Sequence, residues 1–387
     1  MSLSRRALFR PRAVTSADFN QLVTARGREA LVAELGTLGG ESGSIPAPQD
    51  GEIRLTSNEN PLGPPPPAMA AIRAGFAGAG RYPANTDPSI DDLTQAVADR
   101  HGCAATNIVL GAGSGELLRN VAQAFVGPGR HLVTASPTYL QTSGVARYLG
   151  AEVKAIPLGG DGKLDLDAMA AAAPGAGLIF FCNPNNPTGT VHAASDVRTF
   201  VQTIRRTSPN TVIHVDEAYH EYVTHPDYES MAEMACSTPN VFVSRTFSKC
   251  FGMAGMRVGY GLGDTDMIAT MRRFRIDMNI AVPTVNGAFV ALQDKGYELI
   301  EQRRNTAARQ YTIDFFRGLG YDVFDSQTNF MFVNIGRPAA EFRSACRERG
   351  VGVGRDFPPM EKTHARISIG TLDEMQRACV VFKEVLA

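Results

Sequence analysis

From Asn107 onward the chain alternates between two hydrophobic rhythms. Short apolar runs at Ile108 to Leu110, His131 to Thr134, Val153 to Ile156, Leu178 to Cys182, Thr211 to Val215 and Val241 to Val243 have the length and bounding turns of buried strands. Between them, amphipathic stretches such as Glu116 to Phe125, Gln141 to Leu149 and Val197 to Arg206 repeat with helical spacing. This alternation predicts an α/β fold whose mainly parallel sheet is covered by helices. Ahead of it, Pro67 to Ala77 and Ser89 to His101 read as helices, with the Pro64 to Pro67 run as an extended arm. Near Met278 to Pro283 the rhythm stops. A long helix over Thr284 to Arg317 follows, closed by Gly318 and Gly320. Strands at Asp322 to Phe324, Phe330 to Asn334, Val351 to Gly354 and Ala365 to Ile369, with helices at Pro338 to Arg349 and from Asp373, make a smaller α+β domain. The expected division is an N-terminal arm and linker over 1–50, a large domain over 51–283 and a small C-terminal domain over 284–387. Within the large domain, 51–80 reads as an arm reaching toward the small domain or a partner subunit.

Composition adds mainly exclusions. The formal net charge of −1 over 387 residues gives no basic surface for a nucleic acid, and no apolar run is long enough for a membrane span. The six cysteines are scattered without CxxC pairs, which predicts core thiols and no metal site. The start, with Arg5-Arg6, resembles a twin-arginine signal, but Arg10, Pro11, Arg12 and Asp18 replace the apolar stretch such a signal needs. It reads as a basic arm leading into a helix over Ser16 to Leu35, and the expected compartment is the cytoplasm.

The chemistry concentrates where strands end, as ligand sites of parallel sheets do. Ser244 to Tyr260 holds one lysine, Lys249, after Thr246 and Ser248 and before Arg257. A lysine among apolar neighbours and cations loses part of its preference for the charged form and becomes a usable amine nucleophile. Ser, Thr and Arg are the types that hold a phosphate. A glycine-rich turn, Gly111 to Gly115, links a strand to a helix start and aims backbone N–H groups at an anion. An amine for a Schiff base beside a phosphate clamp is what pyridoxal 5'-phosphate requires. Taken singly, Asp216 could cap a helix, Asn186 could cap a turn, Tyr139 could be a core aromatic and Arg366 could face solvent.

Together, NPNNPTG at 183–189, DEAY at 216–219, SRTFSK at 244–249, MRVGY at 256–260 and RISIG at 366–370 resemble the class I/II aminotransferases, which are fold-type I pyridoxal-phosphate enzymes. SNENPLGPP and RYP are similar to the histidinol-phosphate aminotransferase branch. The resemblance covers about 57–387 and implies an aspartate-aminotransferase-like fold with a seven-stranded type of sheet. It also implies the roles. Lys249 would be the Schiff-base lysine, with Asp216 the partner of the pyridine nitrogen. Asn186 and Tyr219 would bond the cofactor's phenolic oxygen, and Tyr139 would stack on its ring. Ser114, Gly115, Thr246, Ser248 and Arg257 would hold the phosphate, and Arg366 the substrate α-carboxylate. Tyr82 would reach the neighbouring subunit's phosphate site, giving a homodimer with a shared active site.

The expected reaction moves an amino group between an amino acid, or histidinol phosphate, and a 2-oxo acid. The alternatives are another pyridoxal-phosphate reaction (a β-lyase, cyclase or oxidase) and a cofactor-binding regulator, for which residues 1–50 are too short to hold a DNA-binding domain. Arg355 is the candidate for a distal anion on the substrate. Leu62 stands where that branch often has a hydroxyl-bearing aromatic. It makes histidinol phosphate an allowed but not favoured donor, beside acidic, basic or aromatic amino acids.

Overall fold

The computed structural model describes residues 51–387. The arm, the linker and the helix expected over Ser16 to Leu35 lie outside the described residues.

Eleven strands run through the described chain: β1 Ile53–Leu55, β2 Ile108–Gly111, β3 His131–Ser136, β4 Val153–Pro157, β5 Ala176–Cys182, β6 Val212–Asp216, β7 Val241–Thr246, β8 Gly259–Gly263, β9 Phe330–Asn334, β10 Val351–Val353 and β11 His364–Ser368. Seven form the main sheet in the order β2-β8-β7-β6-β5-β3-β4. Pairings from β7 through β4 are parallel, and β8 runs antiparallel to both β7 and β2. The fold is therefore the expected α/β sheet of the aspartate-aminotransferase type, with a smaller C-terminal region.

Alternation along the strands feeds two cores, because successive side chains face opposite sides of a sheet. On one face Ile179, Phe181, Ile213, Val215, Val241 and Val243 pack with the helices over Ile90–His101 and Ala194–Thr207. On the other, Leu178, Phe180, Val212 and Phe242 pack with the helix Ser114–Phe125. Each fully buried aliphatic or phenyl group contributes about 1.5–3 kcal/mol. The helix Ile90–His101 starts where the sequence marks it. Ser89 accepts from the Asp92 N–H, Asp92 reaches back to the Ser89 N–H, and Gly102 closes the helix at φ 62°.

Two expectations are corrected, the long helix and the strand at Asp322 to Phe324, and two strands are added. β8 is a strand in a stretch to which the sequence assigned no element. The long helix is two, Val282–Gln293 and Lys295–Gly318, because the Asp294 carboxylate caps the second through the Tyr297 N–H. Asp322 to Phe324 reduces to one bridge, Val323 to Val333. β1, in the arm read as reaching toward the small domain, pairs in parallel with β10, Ile53 opposite Val351 and Leu55 opposite Val353. Ile53 and Leu55 accordingly sit in the small-region core with Val333, Phe342, Ile367 and Phe382. Residues 53–60 thus reach the site as part of the small region's frame.

Candidate active site

The ends of β5, β6 and β7 and the start of the helix Ser114–Phe125 open onto a cleft of about 210 Å³. Its walls include Lys249, Asp216, Tyr219, Asn186, Tyr139, Ser114, Gly115, Thr246, Ser248 and Arg257. Larger grooves of about 590 and 620 Å³ lie elsewhere, but chemistry selects this one, since it joins an amine, a carboxylate, a guanidinium and helix-start N–H groups.

Lys249 follows β7 in the turn that leads to β8. Its Nζ donates to the Ser57 carbonyl oxygen at 3.1 Å and lies 5.7 Å from the Tyr219 ring centroid. Burial, then the cations Arg366 and Arg257, outweigh Glu59 and Asp216 and bring the ammonium down to about 8. Asp216 ends β6 and is 3% exposed. Burial pushes its carboxyl up to about 6, against the hydrogen bond from Ser244 Oγ at 2.8 Å.

At the phosphate-type cup, Arg257 Nη1 donates to Ser248 Oγ at 3.3 Å and to the Ala254 carbonyl at 2.8 Å. Its backbone is left-handed, φ 54°, a conformation that costs a non-glycine residue of order 1–3 kcal/mol. Gly113 sits at φ 79°, a backbone that other residues rarely adopt, and an added Cβ would lie 2.3 Å from Arg257 Nη2 and displace the guanidinium. The bare backbone lets the guanidinium lie against the helix start, where four N–H groups lack helical partners. Gln141 ties the cup to Tyr139: its Nε2 donates to the Gly115 carbonyl at 2.5 Å, and its Oε1 accepts from the Tyr139 hydroxyl at 3.3 Å.

The Tyr219 hydroxyl oxygen accepts from Asn58 Nδ2 at 3.1 Å and from Asn186 Nδ2 at 3.4 Å. With donors on its oxygen, the phenol's own proton is free to point into the cleft. Burial pushes this phenol well above its ordinary range, so it stays a donor. Asn186 Oδ1 accepts from Arg366 Nη1 at 2.9 Å, and the Thr56 carbonyl accepts from Nη2 at 2.8 Å. Arg366 is buried with no carboxylate at ion-pair distance among the described residues, and burial brings it down to about 10. Its guanidinium lies 4.8 Å from the Phe357 ring centroid, and that of Arg355 lies 4.4 Å from the same ring. Two cations with no carboxylate at ion-pair distance among the described residues therefore meet one aromatic ring.

The donor set fits pyridoxal phosphate: a buried amine at moderate proton affinity, a buried carboxylate, a hydroxyl and amide pair, and a guanidinium at a helix start. Arg366 and Arg355 stand beside the cleft instead of lining it. Leu62 is 55% exposed and lies outside this cleft. A turn from Asn60 to Gly63, with Asn60 Oδ1 accepting the Leu62 N–H at 2.9 Å, sends the side chain outward. Tyr82 lies outside this cleft too, in a separate groove with Phe76 and Met278.

Sequence reasoning missed Asn58, Ser57, Glu59 and Gln141. Asn58 is held at φ 54° by Ser368 Oγ, which accepts from its N–H and donates to its Oδ1, each at 2.8 Å. An asparagine before Glu-Asn-Pro was the available signal, since Asn tolerates this backbone.

The family model for aminotransferase class I and II matches residues 50–382. The histidinol-phosphate aminotransferase of Symbiobacterium thermophilum is 38% identical over 86% of this chain and 90% of its own. The crystal structure of histidinol-phosphate aminotransferase from Sinorhizobium meliloti, in complex with pyridoxal-5'-phosphate, superposes with a TM-score of 0.78 at 28% identity. It covers 92% of this chain and 94% of that one. Aspartate aminotransferase from Thermus thermophilus, with maleate, superposes over 100% of both chains with a TM-score of 0.76; at 19% identity it supports the fold alone.

Proposed function

The chain belongs to the class I and II aminotransferases and is a pyridoxal-phosphate-dependent aminotransferase; on that premise we propose which residues do the work and on what substrate. When bound, the cofactor supplies a carbonyl that bonds amines and a cationic ring that withdraws electrons from an amino acid's α-carbon. Lys249 would be the amine that holds it, and Lys249 Nζ, with its proton affinity near 8, would be placed to take a proton from the substrate's α-carbon as general base. Asp216 would stand at the ring nitrogen and favour its protonated form. The Tyr219 hydroxyl and Asn186 amide hold the phenolic oxygen, Tyr139 covers the ring, and Ser114, Gly115, Thr246, Ser248 and Arg257 hold the phosphate. The observation that carries the reading is the convergence of Lys249, Asp216 and Arg257 on one cleft.

Arg366 takes the carboxylate of the 2-oxo acid, the anion its uncompensated charge lacks. Histidinol phosphate carries a phosphate one methylene beyond where an amino acid has its α-carboxylate. Arg355, whose guanidinium meets the same Phe357 ring as that of Arg366, supplies the second positive charge such a dianion demands. We therefore favour histidinol phosphate as donor, in line with the relatives' names. Leu62, like Tyr82, is exposed and lies outside this cleft.

The functional unit is a homodimer. Phe76, Tyr82, Ile276 and Met278 are exposed apolar side chains, and Tyr82 would serve the partner's phosphate cup. Six free thiols suit the cytoplasm.

The test is a half-reaction screen. Purified enzyme is mixed with histidinol phosphate or each amino acid, and the loss of the cofactor's absorbance band is followed. A donor set without histidinol phosphate would refute the substrate. Borohydride trapping of cofactor on Lys249→Ala would refute the lysine.

A further inference from the structure

His214, Ser244 and Asp216 form a continuous buried chain that none of the roles above uses in full. It follows from strand geometry. Val212, His214 and Asp216 alternate onto one face of β6, and the β6–β7 register sets His214 opposite Phe242 and Asp216 opposite Ser244. Ser244 Oγ donates to Asp216 Oδ1 at 2.8 Å, and His214 Nε2 lies 2.8 Å from the same Oγ. His214 and Ser244 are completely buried.

We propose that His214 and Ser244 are positioning residues, a hydrogen-bonded relay behind Asp216 that fixes its carboxylate and resists its protonation. The proposal rests on the reading that Asp216 faces the ring nitrogen. Ser244 has one hydroxyl proton, which the carboxylate takes, so His214 must donate from Nε2. That leaves Nδ1 without a proton, and the structure gives Nδ1 no hydrogen-bond partner. Its surroundings are the Phe180 and Phe242 rings, with centroids at 5.6 and 5.1 Å. If Asp216 were protonated and donated to Ser244, the hydroxyl would donate to Nε2 and the ring proton would move to Nδ1. A buried N–H with no acceptor is costlier than a bare lone pair. The relay therefore has a preferred direction, with the Ser244 hydroxyl donating to Oδ1, which opposes protonation of that oxygen and favours the ionised carboxylate.

His214 contributes no charge, since burial holds it neutral, down to about 3. The other groups bearing on Asp216 are Glu217, which raises its proton affinity, Lys249, which lowers it, and the neutral Tyr139 and Cys182. With burial pushing the carboxyl to about 6, its margin of ionisation at neutral pH is small, and the relay helps keep it.

Two measurements on the full chain test this. In ¹⁵N-histidine-labelled protein freed of cofactor, the His214 resonance, assigned by its loss in His214→Gln, should report a neutral ring protonated at Nε2. A proton on Nδ1 overturns the relay. Pyridoxal-phosphate affinity is then measured against pH for the wild type, Ser244→Ala, His214→Leu and His214→Gln. A rise of about one unit in the Asp216 pKa would weaken binding in the first two variants by about tenfold at pH 5, fading to parity by pH 9. His214→Gln, whose amide can donate from the Nε2 position, should restore wild-type affinity. A loss equal at every pH marks a merely structural role and overturns the proposal. Silent relay variants beside a strong effect of Asp216→Asn overturn the relay alone. Silence of Asp216→Asn as well overturns the carboxylate's placement against the cofactor, and the relay with it.

Discussion

Lys249 Nζ donates to the carbonyl oxygen of Ser57 at 3.1 Å, so the amine at the end of the large sheet is anchored on the segment that follows β1. No carboxylate lies at ion-pair distance from it among the described residues, and burial with Arg366 and Arg257 outweighs the more distant Glu59 and Asp216.

A first prediction is a pH dependence. Cofactor attachment needs the neutral amine, so its rate in cofactor-free protein should rise with pH and level off above about 8. The stability sign follows from the same depression. Below about 8 the lysine is charged both folded and unfolded, and the cost of burying the charge is fully present. Between about 8 and the ordinary 10.5 the folded amine is neutral and that cost is progressively relieved. Cofactor-free protein should therefore gain urea resistance over this window, and Lys249→Met should abolish the gain. A flat profile in the wild type would contradict the buried amine.

A second prediction concerns the paired guanidiniums. Arg366→Ala should lower kcat/KM for every 2-oxo acid, by about 2–5 kcal/mol of transition-state free energy if the contact is fully desolvated. Arg355→Ala should act mainly on donors bearing a phosphate or a distal carboxylate. Steady-state kinetics with histidinol phosphate and a neutral amino acid separates the two. Equal loss on both donors would demote Arg355 to a packing residue.

Third, mixing Tyr82→Phe subunits with Lys249→Ala subunits should yield heterodimers with one intact site and one doubly altered site. Subunit exchange followed by activity assay reads this, and sedimentation should find a dimer at assay concentration. An active monomer would dismiss the shared site.

The fourth prediction is structural. Arg245 and Glu217 form an ion pair at 2.9 Å that is 3% and 1% exposed, and Ser230 Oγ bridges them, donating to Glu217 Oε2 and accepting from Arg245 Nη2 at 2.7 Å each. Glu217→Ala leaves the guanidinium buried and unpaired and should cost about 3–5 kcal/mol, read as a lower urea midpoint. The double variant Glu217→Leu/Arg245→Met should recover much of that loss, since no orphan charge remains.

The parallel strands and the motifs at their ends were legible because a strand covered on both faces must be apolar throughout, and because ligand chemistry gathers where such strands stop. β8 was not legible, for a reason its glycines explain. A Cβ on Gly259 would lie 2.6 Å from the Ser114 nitrogen, and one on Gly261 would lie 2.2 Å from the Phe242 ring. Close approach to the sheet and the cup has replaced the side chains that announce a strand. Asn58 and Gln141 escaped notice because each acts through another residue, Tyr219 or Tyr139. A contact with a partner distant in sequence leaves no local pattern. Leu62 is the converse case: its neighbours in sequence form the site, while a turn points its side chain away.

The pairing of β1 with β10 also joins segments that are made far apart in time. During synthesis Ile53 emerges early but cannot find its strand partner until Val351 has been made. Every segment of the large sheet is complete by Gly263, long before that. The strand that anchors Ser57 and Asn58 beside the lysine therefore has no partner until β10 exists, so the amine's final setting depends on a segment made nearly a hundred residues after the large sheet.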